Sequence, residues 1–545
     1  MNQDYCNRMD LLTTATRDIA ATATNIGAVA ETPATHKFVV LAALCFMVWM
    51  LIRDRMRPGL LLFSIVVLFL VSGVLTPNEA LAGFSNKGMI TVALLFLVSE
   101  GVRRSDCLGA VMKWIFPSKE KSSIRKGYAY IMGVVASASA FLNNTPIVVI
   151  FIPHIKQWAK RVGLPLRKFL IPLSYAAILG GMCTLIGTST NLVIHGMMLD
   201  KGMDGFSMFE LGKVGGLIAI AGIAYIVIFG NRRLPDDSTD SIESKRDDKH
   251  HMVEAVIGPR FAGINKTHEE FDFKSHYNAD IIQMRRSGEV IKDTENIRFR
   301  EGDTLVLSAD DQFIPTWGDS SVFLLLSNDS EYMPKCPTWK KWLSLGLLIV
   351  MIAGATIGDM EFMKELVPGM RFDMFFWACV VTVIMAYTNI FPPKKYSKFI
   401  SWDILITIAS ALAISTAMTN SGLAAWVAGG LKSMASDFSP VVILAALFLV
   451  TNIITELITN NAAAAFAFPV ACEVATQLGV SPMPFIVAVC IAASCSFSSP
   501  IGYQTNMIVQ GIGGYTFRDF LRIGLPLNII AFIISMIFIP IFWPF

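Results

Sequence analysis

The sequence predicts an all-α polytopic membrane protein, an inverted repeat with two re-entrant helical hairpins and two broken helices, interrupted by a small inserted α+β cytoplasmic domain. Three observations lead there. The chain has 545 residues, of which 54% are hydrophobic and only 16% charged, against roughly 25% charged in an average soluble domain. Two long apolar stretches each break at an Asn-rich polar tip, and each is followed by a second apolar stretch with a polar break. One internal stretch, about 231–337, has the composition of a soluble protein.

The balance of 45 basic and 42 acidic residues gives a net charge of +3, so no nucleic-acid partner is expected. The nine cysteines are scattered without a C-x-x-C pair, which fits apolar membrane residues better than a disulfide or zinc framework. There is no G-x-x-x-x-G-K-[ST] loop, no T-V-G-Y-G filter, no G-x-S-x-G and no H-E-x-x-H. An ATP-driven pump, an ion channel and an intramembrane hydrolase are therefore disfavoured, and the chain reads as no enzyme.

Residues 1–36 form a polar N-terminal arm without a basic n-region. The first membrane repeat, 37–230, opens with apolar stretches at about 38–52, 59–75 and 88–102. Basic clusters follow the first (Arg53, Arg55, Arg57) and the third (Arg103, Arg104, Lys113, Lys119, Lys121, Arg125, Lys126). Both are cytoplasmic by the positive-inside rule. Residues 128–158 are apolar but interrupted by Asn143-Asn144-Thr145-Pro146, with basic residues on both flanks. One crossing cannot begin and end on the same side, so this is a re-entrant hairpin. Residues 169–199 then cross outward with a break at Gly187–Asn191, and 211–230 return to Arg232 and Arg233.

A linker (231–251) leads into the inserted domain, 252–330. Strands are expected at Met252–Ile257, Asp280–Arg285, Glu289–Ile291 and Thr304–Ser308, with a turn at Ser287-Gly288 and one helix within 265–277. The second membrane repeat, 331–545, has spans at 342–358, 372–391 and 402–419 and an amphipathic connector at 421–437. A hairpin at 441–478 has the tip Thr459-Asn460-Asn461, a span at 482–512 breaks over Ser498–Asn506, and 523–543 is the final span.

Asn144 precedes Asn191 by 47 residues, and Asn460 precedes Asn506 by 46. The two hairpins open to opposite sides of the membrane. Inverted repeats with broken helices mark secondary transporters that bind substrate and coupling ion near the midplane. Amides at a helix break point at an anion, while carbonyl, hydroxyl and carboxamide oxygens suit a hard cation such as Na⁺. Helix capping alone also places Asn and Thr at breaks, but four such sites in two matched pairs exceed what capping requires.

The Asn143-Asn144-Thr145 and Thr459-Asn460-Asn461 tips resemble the paired Ser-Asn-Thr signatures of the divalent-anion/sodium symporter family. Gly187–Asn191 and Pro500–Asn506 are similar to its unwound segments, and Glu79–Asn86 to an early element of the wider ion-transporter superfamily. Residues 252–316 resemble the C-terminal regulatory domain of TrkA-type potassium uptake proteins. The resemblance implies Na⁺-coupled symport of a divalent anion, with sulfate ahead of a dicarboxylate because of the insertion. It implies a homodimer working as an elevator, no organic cofactor, and a multi-pass protein of the cell or inner membrane. The inserted domain is expected either to sense a small regulatory ligand or to dimerise. One Na⁺ site would involve Ser139, Asn143, Asn144 and Gly187, and its mirror Thr455, Thr459, Asn460 and Gly502. The anion would touch Asn144, Thr145, Asn460 and Asn461, with Ser189 and Thr505 nearby. Two departures stand at these contacts: Asn143 replaces the usual Ser, and Asn461 the usual Thr.

Within carriers the rivals are a Na⁺/dicarboxylate symporter, a Na⁺/H⁺ antiporter and an arsenite-type exporter. An antiporter needs a titrating carboxylate at the core, and Glu456 is the one placed for it. A structural acid, hydrogen-bonded within the hairpin, is the favoured reading of Glu456. His154 and His195 lie beyond the motif helices and are read as packing or interfacial residues.

Overall fold

The computed structural model describes residues 34–53, 56, 58–105, 124–235, 251–258, 260–286, 289–291, 297–309, 313, 317, 322–326, 337–358, 372–434 and 439–545. Most of the N-terminal arm, the basic residues Lys113–Lys121, linker residues 236–250 and the Ser287-Gly288 turn lie outside the described residues. The first repeat begins with α1 (Ala34–Ile52) and α2 (Pro58–Val71). A short α3 (Pro77–Ala82) is closed by a capping box between Thr76 and Glu79. Asn86 caps α4 (Lys87–Arg104) by accepting from Gly88 N at 2.7 Å.

The first hairpin is α5 (Ile124–Ser139) and α6 (Asn144–Val162). At 1.5 Å per residue these arms are about 24 and 29 Å long, at or below the roughly 30 Å of a hydrocarbon core. The first broken helix is α7 (Arg167–Gly181) and α8 (Ser189–Asp200), and α9 (Gly212–Arg233) closes the repeat. The chain then makes β1 (His251–Ile257), α10 (Phe273–Tyr277), β2 (Ala279–Arg286), β3 (Glu289–Ile291), β4 (Thr304–Ala309) and β5 (Phe323–Leu326).

The second repeat runs through α11 (Thr338–Gly358), α12 (Met374–Tyr387) and α13 (Trp402–Asn420), with α14 (Leu423–Met434) as connector. Its hairpin is α15 (Pro440–Leu457) and α16 (Asn460–Leu478), its broken helix α17 (Met483–Ser494) and α18 (Gln504–Gly513), and its closing helix α19 (Phe517–Phe542). Among the described residues, six helices are long and apolar enough to cross a membrane, counting α3 and α4 as one.

The repeats interlock. Helix α2 packs on α13 of the other repeat, and α12 packs on α4. Gly59 N donates to Asp403 Oδ1 at one of these seams, and Lys87 pairs with Asp373 at the other. Where helices touch, glycine lets backbones meet. A Cβ at Gly180 would stand 2.1 Å from Ala136 O, and one at Gly524 2.0 Å from Phe497 O. Close packing of small residues replaces the hydrophobic effect as the glue between helices in lipid.

The inserted segment is a five-stranded sheet in the order β3-β2-β4-β1-β5 with antiparallel neighbours. Its own aromatic core includes Phe261, Phe271, Phe273, Tyr277, Phe299 and Phe323. The sequence reading missed β5, and its helix shrinks to the five residues of α10. The sheet rests on the membrane part at two places. Gly302 O lies 2.5 Å from where a Cβ of Gly511 on α18 would stand. Arg260 donates to Lys398 O and Ile400 O at 3.1 and 2.8 Å. Val256 packs into the membrane core, whereas Val253, Ala255 and Ile257 belong to the sheet's own core.

Because that core is separate, replacing 245–330 with a flexible linker should leave a membrane part that elutes as one monodisperse peak on size exclusion in detergent. Aggregation of every such deletion would show that the sheet is integral to the membrane core.

Candidate functional site

The two breaks put irregular backbone inside an apolar core, where its amides and carbonyls need protein partners. The same answer appears twice. Asn191 Nδ2 donates to Gly181 O at 3.2 Å and to Thr184 O at 2.7 Å. Asn506 Nδ2 donates to Ser496 O at 2.9 Å and to Ser499 O at 3.0 Å. In each case the asparagine reaches back ten and seven residues across the break. Asn191 and Asn506 are 1% and 0% exposed, so each acts as an internal clip for the unwound chain.

Beside each clip lies a cluster of oxygens. In the first repeat, the end of the Asn144 carboxamide facing Ser139 lies 2.7 Å from Ser139 Oγ, 3.0 Å from Ala177 O and 3.2 Å from Gly187 O. With nitrogen on that side the group makes three hydrogen bonds. With oxygen there, four oxygens face one another, which is the donor chemistry of an alkali cation. In the second repeat, Thr455 Oγ1 donates to Asn460 Oδ1 at 2.9 Å and to Ala493 O at 2.6 Å. Ser139, Asn144 and Ala177 thus correspond to Thr455, Asn460 and Ala493 at one constant sequence offset.

Gly187 and Gly502 complete the correspondence. A Cβ at Gly187 would stand 2.6 Å from Gly181 O and 2.9 Å from Ser139 O, and one at Gly502 2.5 Å from Thr455 O. A side chain at either position would fill the cradle.

The repeats meet at the tips. Thr145 Oγ1 donates to Gln504 Oε1 at 3.4 Å, and the symmetry-related pair is Ser189 Oγ to Asn461 Oδ1 at 3.2 Å. Thr190 Oγ1 also donates to Asn461 Oδ1 at 3.2 Å. Tyr503 Oη lies 2.5 Å from the far end of the Asn144 carboxamide and 2.9 Å from Thr188 Oγ1. These contacts bring the N-termini of α6, α8, α16 and α18 together. None of the four is capped by its N-cap side chain, so four positive helix ends converge there.

The structure gathers Ser139, Asn144, Thr145, Gly187, Ser189, Thr455, Asn460, Asn461 and Gly502 in this region. It places three other residues differently. Asn143 lines a cavity with Val92 and Ser99 of α4 and Leu348 of α11. Thr459 Oγ1 is buried without a partner among the described residues. Thr505 accepts from Ser174 Oγ of α7 at 2.9 Å, and Gln504 stands opposite Thr145 instead. Sequence reading missed Ala177 and Ala493, whose main-chain oxygens leave no mark on residue type, and Tyr503 and Gln504, which sat unremarked inside a recognised break.

Glu456 Oε1 accepts from Phe497 N at 3.0 Å, Ser498 N at 2.8 Å and Asn528 Nδ2 at 2.6 Å, and Oε2 accepts from Ser496 Oγ at 3.3 Å. It is a structural acid that ties the hairpin to the second unwound segment and to α19. His195 Nδ1 accepts from Phe206 N at 3.0 Å, and His154 Nδ1 lies 2.9 Å from Ile150 O. Both histidines are engaged locally, outside the tips.

The chain matches the family described as Citrate transporter over residues 46–492 and 377–544. Transporter sll0640 of Synechocystis sp. is 28% identical over 594 aligned residues, covering 90% of this chain and 95% of the relative. Sodium/sulfate cotransporter 1 of Chlamydomonas reinhardtii is 31% identical over 322 residues, covering 57% of this chain and 34% of its own length. The crystal structure of the Alcanivorax borkumensis YdaH transporter superposes with a TM-score of 0.53 at 13% identity, covering 89% of this chain and 98% of that one. The last similarity concerns the fold alone.

Glu456→Ala should strand the backbone amides of Phe497 and Ser498 and leave Asn528 Nδ2 only its bond to Ser498 Oγ. At about 1–3 kcal/mol for each unsatisfied buried group, the loss should be about 3 kcal/mol or more. Glu456→Gln should cost less, because an oxygen still meets the amides. Thermal unfolding in detergent reads both, and a Glu456→Ala protein melting with the wild type would contradict the structural role.

Proposed function

The chain belongs to the citrate transporter family, a family of divalent-anion/sodium symporters, and on that premise we propose that it is a secondary active carrier importing a divalent anion, sulfate, together with Na⁺. Four converging helix N-termini support an anion seat between the tips. The two oxygen clusters beside it support paired Na⁺ sites, one at Ser139, Asn144, Ala177 and Gly187 and one at Thr455, Asn460, Ala493 and Gly502. The unpartnered Thr459 hydroxyl is a further oxygen at the second tip. The anion would be held by Asn144, Thr145, Ser189, Asn460 and Asn461, with Thr505 behind them.

The observation that carries this reading is the pairing of neutral tips with oxygen clusters. Asn, Thr and Ser donate to an oxyanion but cannot neutralise it. Burying a dianion uncompensated is prohibitive. Co-bound Na⁺ supplies the missing charge, which couples the two gradients. Transport would follow an elevator motion in a homodimer. The seam beside the first tip, where Phe141, Leu142, Asn143 and Ser189 face α4 and α11 across a cavity, suits sliding. The inserted sheet would serve as a cytoplasmic regulatory domain of TrkA-C type.

A Na⁺/dicarboxylate symporter is the second reading; the family's description as citrate transporters points to carboxylate substrates. A Na⁺/H⁺ antiporter is disfavoured, because Glu456 is already committed to four donors.

Purified protein in liposomes should accumulate labelled sulfate when an inward Na⁺ gradient is imposed at constant pH. Uptake equally fast under K⁺ or choline would refute the coupling. Asn144→Asp and Asn460→Asp each remove a donor and add a negative charge. Two unit charges about 4 Å apart repel by about 4 kcal/mol at an effective dielectric near 20, so anion affinity should fall roughly a thousandfold at both positions. Either variant transporting at wild-type affinity would dismiss the site.

A further inference from the structure

The two halves of the site correspond in position, and at the N-caps of the two broken half-helices they differ greatly in size. Thr188, the N-cap of α8, corresponds to Tyr503, the N-cap of α18. The threonine side chain ends near the first unwound segment. The tyrosine ring instead crosses the pseudo-two-fold axis. Its hydroxyl reaches Asn144 and Thr188 of the first repeat, at 2.5 and 2.9 Å. One phenol of the second repeat therefore touches the tip asparagine and the break of the first.

Its backbone position is tightly set. Gly502, immediately before it, is pressed against Thr455 O and Ser496 Oγ. Asn506, three residues on, clips the break and accepts from Ser174 Oγ at 2.6 Å. With the backbone held there, the ring can withdraw only by a side-chain rotation that breaks the hydroxyl's contacts to Asn144 and Thr188. The Thr188 and Tyr503 hydroxyls meet at 2.9 Å, so the aromatic ring with its polar edge lies across the gap between the tips on that side.

We propose that Tyr503 is the residue that sets anion selectivity. It occupies the volume into which the second carboxylate of an extended dicarboxylate would project, and its hydroxyl offers a donor to a single compact tetrahedral dianion. The inference deepens the symport reading and rests on it. Steric exclusion of this kind rejects the wrong ligand by a clash as well as selecting the right one by a contact. A site built to hydrogen-bond a particular oxygen also discriminates more strongly than an apolar pocket does.

The test uses full-length protein in liposomes with an inward Na⁺ gradient, and measures KM for labelled sulfate and uptake of labelled succinate. Wild type should take sulfate and exclude succinate. Tyr503→Phe keeps the wall and removes the donor, so sulfate KM should rise about tenfold while succinate stays excluded. Tyr503→Thr restores the symmetry with Thr188, so sulfate KM should rise at least as far and succinate should become a substrate. A Tyr503→Thr protein that is monodisperse on size exclusion, yet keeps wild-type sulfate KM or still excludes succinate, would overturn the proposal. Wild type that takes succinate as readily as sulfate would overturn it too and leave the symport intact. Absence of Na⁺-driven uptake of either anion by wild type would overturn the symport reading and this inference with it.

Discussion

Everything at the centre of this molecule depends on how two stretches of unwound backbone are satisfied inside an apolar core. Lipid offers no hydrogen bonds, so each freed amide and carbonyl must find a partner in the protein. Asn191 and Asn506 meet that demand from within their own segments, each bridging two carbonyls. Glu456 meets it from the neighbouring hairpin for the amides of Phe497 and Ser498. Once those groups are secured, the carbonyls left over (Ala177, Gly187, Ala493) face the carboxamides and hydroxyls of the tips. The ion chemistry attributed to the site is thus a by-product of the way the broken helices are held together.

The same constraint explains why the two repeats agree so closely at the tips and the breaks. Ser139 and Thr455, Asn144 and Asn460, Gly187 and Gly502 hold the same relations because the geometry of a break beside a hairpin tip permits few solutions. The positions that differ carry individuality. Ala140 of the first repeat has no counterpart to the Glu456 carboxylate, so the second unwound segment is tied to α19 in a way the first is not. Thr188 against Tyr503 makes the space between the tips lopsided. Gly511, on the far side of α18 from the tips' chain, lets the inserted sheet sit on the half-helix that begins at Gln504.

Much of this was legible in the sequence because membrane breaks need particular residues. Asn143–Pro146 and Thr459–Asn461 stand out in apolar surroundings, and their spacing to Asn191 and Asn506 revealed the repeat before any coordinates. The hairpins, the broken helices and most strands of the inserted sheet followed from the same patterning. What could not be read depends on direction. Thr505 and Gln504 are adjacent, but about 100° of helical rotation separates them, so one faces Ser174 and the other Thr145. Carbonyl donors such as Ala177 have no residue-type signature. The reach of Tyr503 across the axis is tertiary, and β5 is a four-residue strand whose pairing with β1 spans some seventy residues of chain.

The central claim is that an anion and Na⁺ occupy one seat between the tips and the oxygen clusters beside it. A cryo-EM map of the protein in lipid nanodiscs with Na⁺ and selenate, a heavier analogue of sulfate, tests this most directly. The account predicts tetrahedral density contacting Asn144 and Asn460, with smaller densities at the Ser139–Gly187 and Thr455–Gly502 clusters. An ordered selenate bound elsewhere, with the tips unoccupied, would contradict it.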